Sequence, residues 1–265
     1  HLAALAPRDG MVVGRVTSRN GEHYWLRDGS QVLRAQIAGS LRHRAESPGQ
    51  LPVVGDWVVA TPDDRHNPSM IQRVLPRRTC FARKLPISGG RRLKNGIIDG
   101  GVTQEQVLAA NMDYVFIVSS LDQNFNLARI ERYLTLVYSG HARPVVLLNK
   151  ADLCAEPAKY VEDVSARLSG QAAPPVQVHA GNTLDGSMAS AIEKYLTQGR
   201  TVMFLGSSGV GKSTIVNALM GQQRHLTGQI SDSTGKGRHT TTGTSLLFCP
   251  RGGMLIDTPG LREIQ

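Results

Sequence analysis

The sequence predicts an α/β protein in two parts: an N-terminal five-stranded β-barrel of the OB type, then a phosphate-loop domain on a mostly parallel sheet. Three observations predict it. Residues 11–76 hold five short β-prone runs separated by turn residues. From residue 103 onward, apolar runs alternate with segments of helical periodicity. Residues 201–221 read TVMFLGSSGVGKSTIVNALMG, a buried strand, a glycine-rich turn and a helix.

The barrel runs are residues 11–17, 23–27, 32–37, 56–60 and 70–75. Asn20-Gly21, Asp28-Gly29, Pro48-Gly49 and Pro62-Asp63-Asp64 separate them, all residue types that favour tight turns. Five strands in so short a span suit a small closed barrel, and the OB barrel is the natural candidate. Such barrels bind nucleic acid by stacking bases on aromatic rings and tracking phosphates with cations. Tyr24 and Trp25 are adjacent, so in a strand they face opposite sides; one belongs to the core and the other is available for stacking. Trp57 is expected in the core. Arg42, His43 and Arg44 are expected in a loop, with Arg42 and Arg44 as phosphate contacts.

The net charge of +9 is unevenly spread, with 16 Lys/Arg against 9 Asp/Glu in residues 1–105 and 14 against 12 in the remainder. The excess is densest over residues 73–94, which contain Arg77, Arg78, Arg83, Lys84, Arg91 and Arg92 and no acid. A run without compensating acids points to a polyanion-binding surface. The barrel is therefore assigned to residues 1–76, a basic linker or loop to 77–102, and the phosphate-loop domain to 103–265. No apolar run approaches the length of a membrane span, and the first residues lack a secretory pattern. Cys80, Cys154 and Cys249 are odd in number and scattered, which argues against a disulfide framework and suggests a reducing cytoplasm. No initiator Met is present, so the sequence is expected to begin inside a longer gene product.

In the second part, Thr103 with Gln106 is a capping-box signal for a short helix. Residues 113–120 (DYVFIVSS) form a buried strand, and Asn126 caps a helix that ends near Gly140. Strands follow at 144–148 and 176–180, with a helix at 157–168 between them and another starting at Asp185. After the phosphate-loop strand and helix come two strands, 245–249 and 254–257, joined by a turn at Pro250-Arg251-Gly252-Gly253.

Gly206-Ser207-Ser208-Gly209-Val210-Gly211-Lys212-Ser213, followed by Thr214, matches G-x-x-x-x-G-K-S. A polyphosphate needs several converging backbone N–H groups, and glycines let the backbone curl close enough to supply them. Lys212 is assigned to the β/γ-phosphates and Ser213 to Mg²⁺. Asn149-Lys150-Ala151-Asp152 ends a strand and reads as a guanine loop. The Asp152 carboxylate accepts from the ring N–H and the exocyclic amine of guanine, and adenine would leave it unpaired. Asn149 supports the loop, and the Lys150 stem covers the base face. Asp257-Thr258-Pro259-Gly260 fits an indirect Mg²⁺ carboxylate (Asp257) and a γ-phosphate sensor (the Gly260 N–H). Residues 231–244 are polar and glycine-rich. One of Thr240, Thr241 and Thr242 is expected to hold Mg²⁺ in the GTP state, with Thr241 favoured.

The order of these motifs carries a resemblance. In ordinary small GTPases the phosphate loop comes first and N-K-x-D late. Here Asn149–Asp152 precedes the phosphate loop, while the threonines and Asp257-Thr258-Pro259-Gly260 come last. That rotated order behind a small barrel resembles the circularly permuted ribosome-assembly GTPases of the RsgA (YjeQ) family. The resemblance implies a GTPase that binds GTP/GDP and Mg²⁺; a cytoplasmic monomer without membrane or DNA partners is expected. It implies late action on the small ribosomal subunit, rRNA contact through the barrel, and hydrolysis stimulated by the subunit. Zinc is implied for the family only in a C-terminal domain, and this sequence stops at Gln265. His179-Ala180-Gly181 stands where many GTPases have Ser-Ala, leaving the Ala180 N–H for guanine O6. Ras-type proteins place a water-orienting Gln after D-x-x-G, and here that position is Leu261. The resemblance points to His239 as the substitute. No arginine is evident as a finger in cis, so slow intrinsic hydrolysis is expected. Two alternatives stay open: a non-catalytic GTP-binding RNA scaffold, and a GTPase acting on a non-ribosomal protein.

Overall fold

The computed structural model describes residues 10–29, 31–62, 67–84, 91–92, 98–99, 105–170, 174–221 and 243–258. The chain divides into two compact units, His1–Asn111 and Met112–Gln265.

The first unit is a closed, mixed five-stranded barrel of β1 (Val12–Asn20), β2 (His23–Arg27), β3 (Val32–Ile37), β4 (Trp57–Ala60) and β5 (Ser69–Val74). β1 pairs antiparallel with β2 and β4, β2 with β3 and β4 with β5, while β3 and β5 run parallel. One strand serves two neighbours because β1 bends. Val12–Arg15 pair with β4, Arg15–Asn20 pair with β2, and the register shifts between Val16 and Ser18 as at a β-bulge. Val16, Tyr24, Leu26, Ala35, Val58, Ala60 and Ile71 fill the interior. Tyr24 is the core member of the aromatic pair, and Trp25 is half-buried. Trp57, expected in the core, is also only half-buried, with the Arg15 guanidinium 5.4 Å from its ring centroid. Arg42, His43 and Arg44 lie in a short helix, α1 (Gly39–Arg44), rather than in a loop.

The region expected to be linker begins with a strand. β6 (Cys80–Lys84) pairs antiparallel with β9 (Glu105–Ala110), and between them β7 (Arg91–Arg92) pairs with β8 (Ile98–Asp99). The helix expected from Thr103 is thus overturned for the described residues from 105 on. EQVLAA has good local helix propensity, but cross-strand pairing and burial of Ala109 and Ala110 decide its conformation.

The second unit has the strands β10 (Tyr114–Ser120), β11 (Arg143–Asn149), β12 (Gln177–Ala180), β13 (Thr201–Leu205), β14 (Ser245–Phe248) and β15 (Met254–Asp257). Their order within this unit is β12-β11-β10-β13-β15-β14. All neighbours are parallel except β14, which forms the expected hairpin with β15. The helices are α2 (Leu127–Ser139), α3 (Pro157–Leu168), α4 (Ser187–Glu193) and α5 (Lys212–Met220). Apolar residues run almost unbroken through β10, β11 and β13 because helices cover both faces of a parallel sheet. Phe116, Val118, Val145 and Leu147 pack with Met188 and Ile192 of α4 and with Ile215, Val216 and Met220 of α5. α2 packs on β10 and β11 and buries Ile130, Tyr133, Leu134 and Val137. Its amphipathic stripe is capped as the sequence predicts, with Asn126 Oδ1 accepting from the Arg129 amide at 2.9 Å. Among the described residues no helix is long and apolar enough to cross a membrane.

Candidate nucleotide site

The motifs meet at the C-terminal ends of the parallel strands, where open α/β sheets place their ligands. β13 leads through residues 206–211 into α5, and Asn149 ends β11. Ala180 ends β12, and Asp257 ends β15 next to β13.

Two glycines make the phosphate loop possible. Gly206 has φ 157°, and a Cβ there would lie 2.4 Å from the Val118 carbonyl oxygen of β10. Gly211 caps α5 at φ 98°, and its Cβ would lie 2.2 Å from Asn149 Nδ2. No side chain fits at either position without displacing a neighbour. Lys212 Nζ donates to the carbonyl oxygens of Gly206 at 2.6 Å and Ser207 at 2.5 Å, which holds the ammonium over its own loop. Ser213 and Thr214 lie exposed in the first turn of α5, which itself carries no acidic residue to offset the positive end of the helix.

The loop of residues 149–152 is tied to the phosphate loop. Asn149 is buried; its Nδ2 donates to the Val210 carbonyl at 2.9 Å, and its Oδ1 accepts from Thr183 Oγ1 at 2.9 Å. Lys150 takes a left-handed backbone, φ 59°, and Ala151 N–H donates to the Gly181 carbonyl at 3.2 Å. These bonds place Ala180 beside the loop carrying Asp152, whose side chain is exposed. Lys150 Nζ pairs with Asp122 Oδ2 at 2.8 Å. That ammonium and the Ser120 hydroxyl, which donates at 2.7 Å, hold the Asp122 carboxyl down at about 2.

Two side chains at this site escaped the sequence reading. Asp122 lies in the segment leaving β10, 28 residues before Lys150. Arg129, in the first turn of α2, donates from Nη1 to Ser207 Oγ at 3.1 Å across 78 residues. No sequence spacing signals either contact; only the parallel order β11-β10-β13 brings them in. His239, Thr241 and Gly260 lie outside the described residues.

The expected RNA-contacting cations divide. Arg77 is turned inward and is a correction. It forks onto Asp56, Nε to Oδ1 at 2.8 Å and Nη2 to Oδ2 at 2.7 Å, and also donates to the carbonyls of Gly49 and Leu51. Asp56 is fully buried, so Arg77 neutralises a barrel carboxylate. Arg42, Arg44, Arg78 and Arg83 are exposed. Arg42 pairs with Glu22, Arg44 donates to the Gln72 carbonyl and Arg83 to Gln106 Oε1. The side chains of Lys84, Arg91 and Arg92 lie outside the described residues.

A P-loop domain whose motifs run in rotated order, following an OB barrel in the sequence, defines a circularly permuted GTPase domain. Comparison with known proteins narrows this. The family model described as "RsgA GTPase" matches residues 92–265. "Small ribosomal subunit biogenesis GTPase RsgA" of Methanosarcina acetivorans is 39% identical over 264 residues, covering 100% of this chain and 66% of that protein. "Small ribosomal subunit biogenesis GTPase RsgA 2" of Lactiplantibacillus plantarum is 37% identical, covering 99% of this chain and 69% of that protein. The chain belongs to the RsgA GTPase family, and it spans about two thirds of the length of these curated relatives. Two solved structures share the fold. YjeQ from Thermotoga maritima matches at TM-score 0.65 and 22% identity, over 94% of this chain and 74% of that one. YloQ, titled a circularly permuted GTPase, matches at TM-score 0.63 and 20% identity, over 98% and 75%.

Proposed function

We propose that this chain binds GTP and Mg²⁺ and hydrolyses GTP in the late maturation of the small ribosomal subunit, in the cytoplasm and as a monomer. The observation that carries the reading is the Asn149 bridge. A buried carboxamide locks the guanine loop to the phosphate loop, so base identity and phosphate position are read by one rigid unit. The names of the curated relatives, small ribosomal subunit biogenesis GTPases, support the assignment of the partner.

Asp152 selects guanine, with the Ala180 N–H and the Lys150 stem completing the base site. Backbone N–H groups of residues 208–213 and the Lys212 ammonium neutralise the phosphates. The donors present fit Mg²⁺: Ser213 offers a hydroxyl oxygen at the start of α5 and Asp257 a carboxylate at the end of β15, hard oxygen donors of the kind this ion takes. That suits an ion that takes most of its oxygens from phosphates and water, with Ser213 and Thr241 as protein ligands and Asp257 acting through water. When bound, Mg²⁺ neutralises charge developing between the β- and γ-phosphates. The Gly260 N–H holds the γ-phosphate, and His239 orients the attacking water in place of the Gln that Leu261 replaces. The exposed cations Arg42, Arg44, Arg78 and Arg83, together with Lys84, Arg91 and Arg92, contact rRNA phosphates, and the binding weakens with salt.

Phosphate release from GTP and from ATP tests this. GTP-selective, Mg²⁺-dependent turnover that falls in His239→Ala, with GDP affinity unchanged, is expected. Equal use of ATP would overturn the guanine assignment, and unchanged turnover would remove His239 from the mechanism.

A further inference from the structure

We propose that the segment leaving β10 and entering α2, residues 120–129, is a positioning element for both ends of the nucleotide site: Asp122 sets Lys150 at the base end, and Arg129 sets Ser207 at the phosphate end. The inference rests on the nucleotide reading above.

At the base end the Asp122 carboxylate is itself fixed. Oδ1 accepts from Ser120 Oγ at 2.7 Å and from the Asn124 amide at 2.9 Å, which leaves Oδ2 aimed at Lys150 Nζ, 2.8 Å away. The pair is largely shielded, with the Asp122 side chain 17% and the Lys150 side chain 33% exposed. The adjoining backbone is tied as well, the Leu121 N–H donating to the Asn149 carbonyl at 2.8 Å. A lysine stem has many rotamers, and one meant to cover a base must give them up. Asp122 selects one arrangement before the nucleotide arrives, which is preorganisation.

At the phosphate end, Arg129 Nη1 holds Ser207 Oγ, and the Ser207 carbonyl accepts from Lys212 Nζ. A guanidinium thus fixes the residue that in turn holds the phosphate-loop lysine. The segment between the two ends is stiff. The Phe125 N–H donates to the Asp122 carbonyl at 2.9 Å, and the Phe125 ring stands edge-on to Tyr160 of α3 at 5.0 Å. Asn126 caps the helix that carries Arg129.

Two double-mutant cycles on GDP affinity, read with a fluorescent GDP analogue and accompanied by melting temperatures, test the proposal. The first uses Asp122→Ala, Lys150→Ala and the pair; the second uses Arg129→Ala, Ser207→Ala and the pair. Each single variant is expected to lose about tenfold in affinity, and each pair to lose little more than its worse member, as contacting residues do. Arg129→Lys, which keeps the charge and a donor, is expected to recover part of the loss. Asp122→Asn, which keeps the shape without the charge, supplies the base-end reading should Asp122→Ala not fold. Additive losses, or affinity within twofold of wild type in Asp122→Asn and Arg129→Ala, would overturn the positioning role. A wild-type protein that binds no GDP analogue would overturn the nucleotide reading itself, a separate result seen in the same titration.

Discussion

Gly211 lies under the carboxamide of Asn149, so close that a Cβ at residue 211 would fall 2.2 Å from Nδ2. The two residues are far apart in the chain and belong to different motifs. Their contact joins the loop of residues 149–152 to the phosphate loop. Gly211→Ala must therefore displace the carboxamide and break its bonds to Val210 and Thr183, besides placing a side chain at φ 98°. The expected result is a loss of at least about 2 kcal/mol in GDP binding, roughly 30-fold, read by titration. Affinity equal to wild type would mean that the bridge is dispensable.

Lys212→Ala removes a charge held over the loop by two carbonyl oxygens. Charge-assisted bonds to phosphate oxygens carry about 1.5–3 kcal/mol each, so GTP affinity should fall roughly 100-fold. Ser213→Ala should instead lose the Mg²⁺ dependence of turnover. Calorimetry with and without Mg²⁺ separates the two.

On the proposed reading, Asp152→Asn exchanges an acceptor for a donor at the guanine edge. The preference for GDP over a diphosphate lacking the exocyclic amine should shrink by about 10-fold or more. Competition titrations read it. A preference that survives would remove Asp152 from guanine selection.

Arg77→Ala should damage the barrel rather than nucleic-acid binding alone. It leaves the buried Asp56 carboxylate with the Val53 N–H and little else, a loss of about 3–5 kcal/mol for breaking a buried pair. Arg83→Ala, at an exposed strand position, should stay within about 0.5 kcal/mol. Denaturant unfolding of the two variants side by side checks this.

Most of the architecture was legible in the sequence. Alternation and turn residues marked β2 at 23–27, β3 at 32–37 and α3 at 157–168, and each lies where it was read. The strand, turn and helix at 201–220 were legible because glycines at fixed spacing between an apolar run and a helical stripe mark that turn. What stayed hidden depends on tertiary neighbours. Residues 105–110 carry helix-forming side chains and become strand only because Cys80–Lys84 pairs with them. Arg77 looked like one more cation in a basic run, and its partner Asp56 lies 21 residues earlier. Asp122 and Arg129 reach the site through sheet order, which no local pattern encodes.

Acid stability offers a further check. The Lys150 ammonium and the Ser120 hydroxyl hold folded Asp122 at about 2, against an ordinary value of 3.8. A depressed carboxyl stabilises the fold fully above its unfolded value, and the contribution is lost as pH falls through the folded one. The stability gap between wild type and Asp122→Asn should therefore be constant above about pH 5 and close between pH 4 and 2. Equal stabilities at pH 7 would deny the ion pair any net contribution.

On the function proposed above, this GTPase answers to the small ribosomal subunit. GTP turnover with and without purified small subunits tests it most directly, using this chain beside a version spanning the full length of its relatives. Subunit-stimulated, GTP-specific turnover is predicted, abolished by Lys212→Ala. GTP binding without stimulation of either version would contradict the account and leave a nucleotide-binding scaffold, or a GTPase with another partner.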